Sequence, residues 1–100
     1  MVKLSLRWSE QSKLDMKEIF EFVKNAESNV RAKYVINNIR QEAKNITVFP
    51  SKHAIETMIA NGNVRYAIKW NYKILFTFDE KYVNILRIFH TAQNPSKHIQ

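Results

Sequence analysis

Residues 63–70 read NVRYAIKW, 71–81 read NYKILFTFDEK and 82–95 read YVNILRIFHTAQNP, and this stretch decides the fold. Val64, Tyr66, Ile68 and Trp70 occupy every second position, with Arg65 and Lys69 on the opposite side. Tyr72, Ile74, Phe76 and Phe78 repeat the alternation and leave Lys73, Leu75 and Thr77 across from them. Period two is the spacing of a strand whose two faces meet different surroundings. From Val83 to Phe89 the alternation fades. Ile85, Leu86, Ile88 and Phe89 are apolar on both faces, interrupted by Arg87, as suits a central strand covered on both sides. The three segments are expected to form an antiparallel meander.

Working outward, Val2, Leu4, Leu6 and Trp8 alternate with Lys3, Ser5 and Arg7, which predicts an opening strand. Ser9 is placed to cap a helix, with Glu10 in its first turn where the dipole favours negative charge. Met16, Ile19, Phe20 and Val23 form the buried stripe of that helix. Asp15, Lys17, Glu18, Glu21 and Lys24 are expected mostly on its outer side, with Leu14 and Phe22 off the stripe. A second helix, capped by Ser28 or Asn29, carries Ala32, Val35, Ile36, Ile39, Ala43 and Ile46 on one face. It is expected to run to Val48-Phe49-Pro50, where proline stops it. Residues 51–63 read as an ordered excursion over the sheet with one helical turn. The fold class is therefore α+β, in the order β-α-α-β-β-β. An antiparallel helical hairpin packs on one face of a mostly antiparallel four-stranded sheet. The other face is expected to carry Arg65, Lys69 and Lys73, with Arg87 and His90.

At 100 residues and 45% hydrophobic content, the chain reads as one domain over 1–100, with one core and little to spare. It has no cysteine, which excludes disulfide and thiol chemistry and fits a reducing cytoplasm. No apolar run approaches the ~20 residues of a membrane span, and MVKLSLRW alternates rather than forming a signal core. A cytoplasmic protein without membrane contact is expected. Sixteen Lys and Arg against nine Asp and Glu give +7, which attracts polyanions or acidic protein surfaces. His53, His90 and His98 show no metal-ligand spacing, so neither a metal nor a cofactor is expected.

The order of elements, together with D15-M-K-E-I-F-E-F22, F49-P50, Y72-K-I-L-F76 and I85-L-R-I-F-H-T-A-Q-N-P95, resembles the ParE/RelE superfamily of toxins from type II toxin–antitoxin systems. The likeness spans nearly the whole chain and lies closer to ParE-like than to RelE-like members. It implies a cytoplasmic toxin neutralised by an acidic, amphipathic antitoxin, with DNA reached only through that antitoxin. ParE-like members inhibit DNA gyrase without catalysis; RelE-like members cleave messenger RNA on the ribosome. In the latter, basic residues on the middle strands and a Tyr or His near the C-terminal end do the chemistry. Lys73 matches the first basic position, with lysine where arginine is usual, which loses the bidentate grip on phosphate. Thr91, Ala92 and Gln93 then offer no good acid or base near neutral pH. The ending HTAQNP therefore favours the gyrase reading over the ribonuclease. An inert member acting only in the antitoxin complex, and a plain RNA-binding domain, are the further alternatives.

The catalytic candidates are thus Lys73, Arg65 and His90, and the partner- or polyanion-binding candidates are Arg65, Lys69, Lys73, Arg87 and His90. His90 can act as acid or base, or close the last strand by hydrogen bonds; without a spaced activating partner the second reading is preferred. Arg87 can bind phosphate or anchor the sheet to a carboxylate such as Asp79 or Glu80. Trp8, Trp70 and Tyr72 can stack bases, although strand aromatics more often pack. If Arg65 and Lys73 form a solvated stripe, reversing both charges should leave thermal unfolding nearly unchanged.

Overall fold

Ser9 ends the first strand and begins the first helix, and the layout follows from that junction. The computed structural model describes residues 3–57, 59 and 62–91. The elements are β1 (Ser5–Trp8), α1 (Glu10–Ala26), α2 (Asn29–Ile46), a 3₁₀ turn (Pro50–Lys52), β2 (Ala54–Ile55), β3 (Arg65–Lys69), β4 (Tyr72–Phe78) and β5 (Tyr82–His90). They form one sheet in the order β1-β5-β4-β3-β2, with β1 parallel to β5 and the remaining pairs antiparallel. The parallel pair needs a long crossover, which the helical hairpin supplies. The sheet has five strands rather than four. The added β2 is two residues long, too short for any periodicity to announce it.

Both helix starts follow the sequence. The Ser9 hydroxyl accepts from the Ser12 N–H at 3.0 Å, and the Ser28 hydroxyl accepts from the Arg31 N–H at 3.0 Å. The α2 stripe from Ala32 to Ile46 is buried throughout. The helix stops at Ile46 with Thr47 as C-cap, short of Val48-Phe49. There the Thr47 hydroxyl donates to the Lys44 carbonyl at 2.6 Å, and the Leu4 N–H donates to the Thr47 carbonyl at 3.2 Å. These bonds give the end of α2 partners before proline is reached. The helical turn foreseen after it is the 3₁₀ turn at Pro50.

The main core sits between the helices and one face of the sheet. Met16, Val35, Ile36 and Ile39 meet Ala67, Ile74, Phe76, Val83, Ile85 and Ile88 there. A second, smaller cluster of Val64, Leu75 and Phe89, with Ile59, Tyr66 and Leu86 against it, covers the opposite face. Hence β5 is apolar on both sides, as its sequence requires. The alternation in β3 runs opposite to expectation: Ala67 points under the helices, while Tyr66 pairs with Leu75 on the far face. A small side chain at Ala67 lets α2 approach the strand closely, whereas tyrosine there would not fit.

A bulge completes the frame. Leu75 pairs with Arg87 and Phe76 with Ile85, so Leu86 is the extra residue on β5. Bulges bend a strand and re-aim its side chains. Here Leu86 joins the second cluster, and Arg87 reaches α1 instead of Asp79 or Glu80. Its Nε and Nη2 donate to Asp15 Oδ2 and Oδ1 at 2.8 and 3.0 Å. Asp15 Oδ2 also accepts from the Ile88 N–H at 2.9 Å, and Gln11 Nε2 donates to Oδ1 at 3.2 Å. Asp15, expected on the outer side of α1, is 4% exposed. One turn of helix beyond Ser12 and before Ile19 places it at the border of the buried stripe, where it covers the β5 edge that β1 leaves unpaired.

Removing one partner of a buried pair typically costs about 3–5 kcal/mol. Asp15→Ala would take both carboxylate bonds from the Arg87 guanidinium and the acceptor from the Ile88 N–H, so its melting temperature should fall by more than about 10 °C. A thermal melt within about 2 °C of the parent would mean that the pair adds nothing to stability.

Candidate functional site

Each cation singled out from the sequence has a definite local partner. Arg65 Nη1 donates to the His53 carbonyl at 2.6 Å and to the Ser51 carbonyl at 3.4 Å, and its guanidinium lies 5.7 Å from the Phe78 ring centroid. Lys73 Nζ donates to Glu56 Oε1 at 2.7 Å and sits 4.3 Å from the Tyr66 centroid. Glu56 is 3% exposed, and its own N–H donates to the Val64 carbonyl at 2.7 Å. Lys69 Nζ lies 4.9 Å over the Trp70 ring. Arg87 belongs to Asp15. His90 meets Tyr72 edge-to-face at 6.0 Å.

The strand register then decides which of these groups can act together. Directly paired residues share a face. Arg65 pairs with Phe76 and Lys69 with Tyr72, which places both cations on the helix side of the sheet. Lys73 pairs with Ile68 and Phe89 on the other side, and His90 pairs with Tyr72 on the helix side. The expected single face carrying Arg65, Lys69 and Lys73 is therefore not formed. Arg65 and Lys73 instead fasten residues 51–56 to the sheet from its two faces. Reversing both charges will thus lower stability, contrary to the solvated-stripe expectation.

Three contributors were not visible in the sequence reading. Glu56 lies in its least periodic segment. Asp15 looked like one charge among several on α1, although its position beside Met16 and Ile19 was a usable signal. Tyr34, on the outer side of α2, stacks on Trp70. The pKa of Tyr72 is raised by burial and by the nearby Glu27 carboxylate. Of the three sequence-selected aromatics, Trp8 and Tyr72 pack against the main core, and Trp70 does not.

An open cleft of ≈ 530 Å³ runs between α1 and the ends of β4 and β5. Its wall includes Glu18, Ile19, Phe22, Tyr72, Ile88 and His90, and Phe22 stands at it 70% exposed. Leu14, the other apolar residue off the α1 stripe, is 55% exposed. Among the described residues no group of His, Asp and Glu is arranged to hold a metal, and no helix is long and apolar enough to cross a membrane.

The order of strand, helical hairpin and antiparallel meander is that of the ParE/RelE class of toxin fold. The chromosomal ParDE toxin–antitoxin system from P. aeruginosa contains a similar chain. It aligns with TM-score 0.74 and 20% identity over 88% of this chain and 96% of that one. The toxin–antitoxin complex RelBE2 from Mycobacterium tuberculosis aligns with TM-score 0.71 and 17% identity over 93% and 97%. At such identities the likeness speaks for the fold. No curated protein matches the sequence. The family model for the ParE toxin of the type II toxin–antitoxin system parDE matches residues 6–95, and the chain belongs to that family.

Two measurements check this geometry. Lys73→Met should destabilise by about 3 kcal/mol by removing the ion pair of buried Glu56, and adding Glu56→Gln should restore much of the loss in urea unfolding. His53 supplies the second. Its pKa is lowered below 6.5 by burial, then by Lys52 and Arg65, against the opposing pull of Glu42. Its buried Nε2 has no hydrogen-bond partner among the described residues. The unfolded chain then binds more protons than the native one between the lowered value and 6.5. The stabilisation is full above 6.5 and is lost as pH falls through the lowered value. Melting temperatures between pH 7 and 5 should fall less steeply in His53→Phe than in the parent; parallel curves would refute this role.

Proposed function

We propose that this ParE-family toxin is neutralised in the cytoplasm by an acidic cognate antitoxin and, once released, inhibits DNA gyrase by contact alone. The observation that carries the non-catalytic half is the dispersal of the three catalytic candidates, Lys73, Arg65 and His90. Cleavage at a 2′-hydroxyl needs a base, a cation at the phosphate and an acid, all within reach of one phosphodiester. Arg65 and His90 share a face but lie at opposite ends of the strands. Lys73 lies on the other face and is already held by Glu56. A ribosome-dependent ribonuclease built from these three would have to dismantle its own frame.

The antitoxin half is supported by charge and by surface. A net charge of +7 favours an acidic chain at long range, and exposed Leu14 and Phe22 beside the α1 cleft offer apolar anchors. The two similar folds come from toxin–antitoxin systems, which agrees with such a partner.

Purified toxin should inhibit gyrase supercoiling while leaving message intact in a ribosome translation assay. His90→Gln should keep this inhibition in full. Cleaved message with normal supercoiling would overturn the proposal in favour of the ribonuclease. Unimpaired growth on expression without a partner would mark an inert family member.

A further inference from the structure

The end of the molecule at the β3–β4 turn adjoins the α1 cleft, whose wall includes Tyr72 and His90, but Trp70, Tyr34, Lys69 and Arg31 lie outside that wall. At the β3–β4 turn Trp70 adopts φ +54°, and among the described residues it is the one non-glycine with a positive φ. For a bulky side chain that conformation costs about 1–3 kcal/mol and persists only where something else requires it. Lys69 pairs with Tyr72, so Trp70-Asn71 is a two-residue hairpin loop whose favoured turns take a positive φ at the first position. Glycine or asparagine would fill it at less cost, and burial does not call for tryptophan, since Trp70 remains 45% exposed. The turn is also anchored: the Thr91 N–H donates to the Asn71 carbonyl at 2.7 Å, tying it to the end of β5.

The strained indole stands beside other flat and charged groups. It stacks on Tyr34 of α2, itself 51% exposed, with ring centroids 5.8 Å apart and planes inclined by 27°. Lys69 Nζ lies 4.9 Å from the indole centroid, and the Arg31 guanidinium 5.2 Å from that of Tyr34. The register adds a row across three strands, Lys69 beside Tyr72 beside His90, all on the helix-side face. Four rings and two cations thus meet at one pole. Glu27, the carboxylate nearest Arg31, is itself paired with it at 3.7 Å.

We propose that this pole is a binding site for single-stranded DNA: bases stack on the Trp70–Tyr34 pair and the Tyr72–His90 edge while Arg31 and Lys69 hold phosphates. Exposed rings alternating with cations are the common means of gripping a single strand without reading its sequence. Duplex is disfavoured, because stacked bases offer their faces to no side chain. An acidic peptide would use Arg31 and Lys69 but would leave the strained, stacked ring pair without a purpose. The choice of DNA over RNA rests on the gyrase reading, in which the target holds DNA. Direct contact also departs from the expectation that DNA is reached only through the antitoxin.

The test uses the full chain and a short oligothymidylate, without gyrase. Trp8 packs against the core and Trp70 does not, so saturable quenching of tryptophan fluorescence should report Trp70. With two phosphates held, log affinity should fall against log salt with a slope of roughly −1.4. Trp70→Ala or Tyr34→Ala should weaken binding roughly 5- to 100-fold by oligonucleotide anisotropy. Trp70→Gly separates binding from folding: glycine accepts the positive φ, so it should melt no lower than Trp70→Ala yet bind as poorly. No saturable quenching, quenching that survives in Trp70→Ala, or tighter binding of oligouridylate than of oligothymidylate would each overturn the assignment. So would a Trp70→Gly protein that loses gyrase but keeps the oligonucleotide, since the patch would then be a protein interface. Oligonucleotide binding without gyrase inhibition would sink the gyrase reading and leave the site itself standing.

Discussion

The carboxylate of Asp15 holds the two layers of this protein in register. It receives both nitrogens of one edge of the Arg87 guanidinium and the backbone N–H of Ile88, all from β5, an interior strand of the sheet. Without it the Ile88 N–H, on the β5 edge beyond the reach of β1, would lose its acceptor at an apolar interface, which is costly. Ser9 extends the same arrangement by accepting its cap bond from Ser12 while donating its hydroxyl to the Leu86 carbonyl at 2.8 Å. The first turns of α1 thus act as a polar seam along an otherwise hydrophobic contact. Apolar packing alone is non-directional; this seam sets where along the strand the helix sits.

A second consequence concerns the positive charge. A net charge of +7 on so small a chain suggests an open basic surface, yet several of its central cations are committed to the fold. Arg65 and Lys73 bind residues 51–56 down on the two faces of the sheet, and Arg87 serves the layer contact. The sheet is consequently no bare cationic platform: its outer face carries its own small core of Val64, Leu75 and Phe89. Long-range attraction to acidic partners survives, because a field depends on net charge rather than on which groups are paired. Concerted acid–base chemistry does not survive so easily, because it depends on groups converging on one point.

The surface left over is divided by chemistry. Along α1 lie exposed Leu14 and Phe22 with Glu18, beside an open cleft. At the β3–β4 turn lie stacked aromatics with Arg31 and Lys69. The first suits an amphipathic chain folding on contact, the second a flat, anionic one. The two surfaces adjoin at Tyr72 and His90, which line the cleft and border the aromatic pole.

Much of this architecture was legible in the order of residues. Period-two runs announced β1, β3, β4 and β5; the apolar sides of Val83–Phe89 announced a strand covered twice; Ser9 and Ser28 announced the helix starts. These features depend on neighbours within a few positions, and local spacing records them. The partner of Arg87, the face taken by Ala67 and Tyr66, the strand β2 and the tie between Lys73 and Glu56 were not legible. Each depends on which distant segments are brought side by side, and a one-residue bulge at Leu86 is enough to change that. The chain alone therefore determined every element but β2, the family and the overall charge. Only the tertiary structure decided which charges are spent holding the layers together and which rings and cations remain at the surface, because burial and register are properties of contacts between elements.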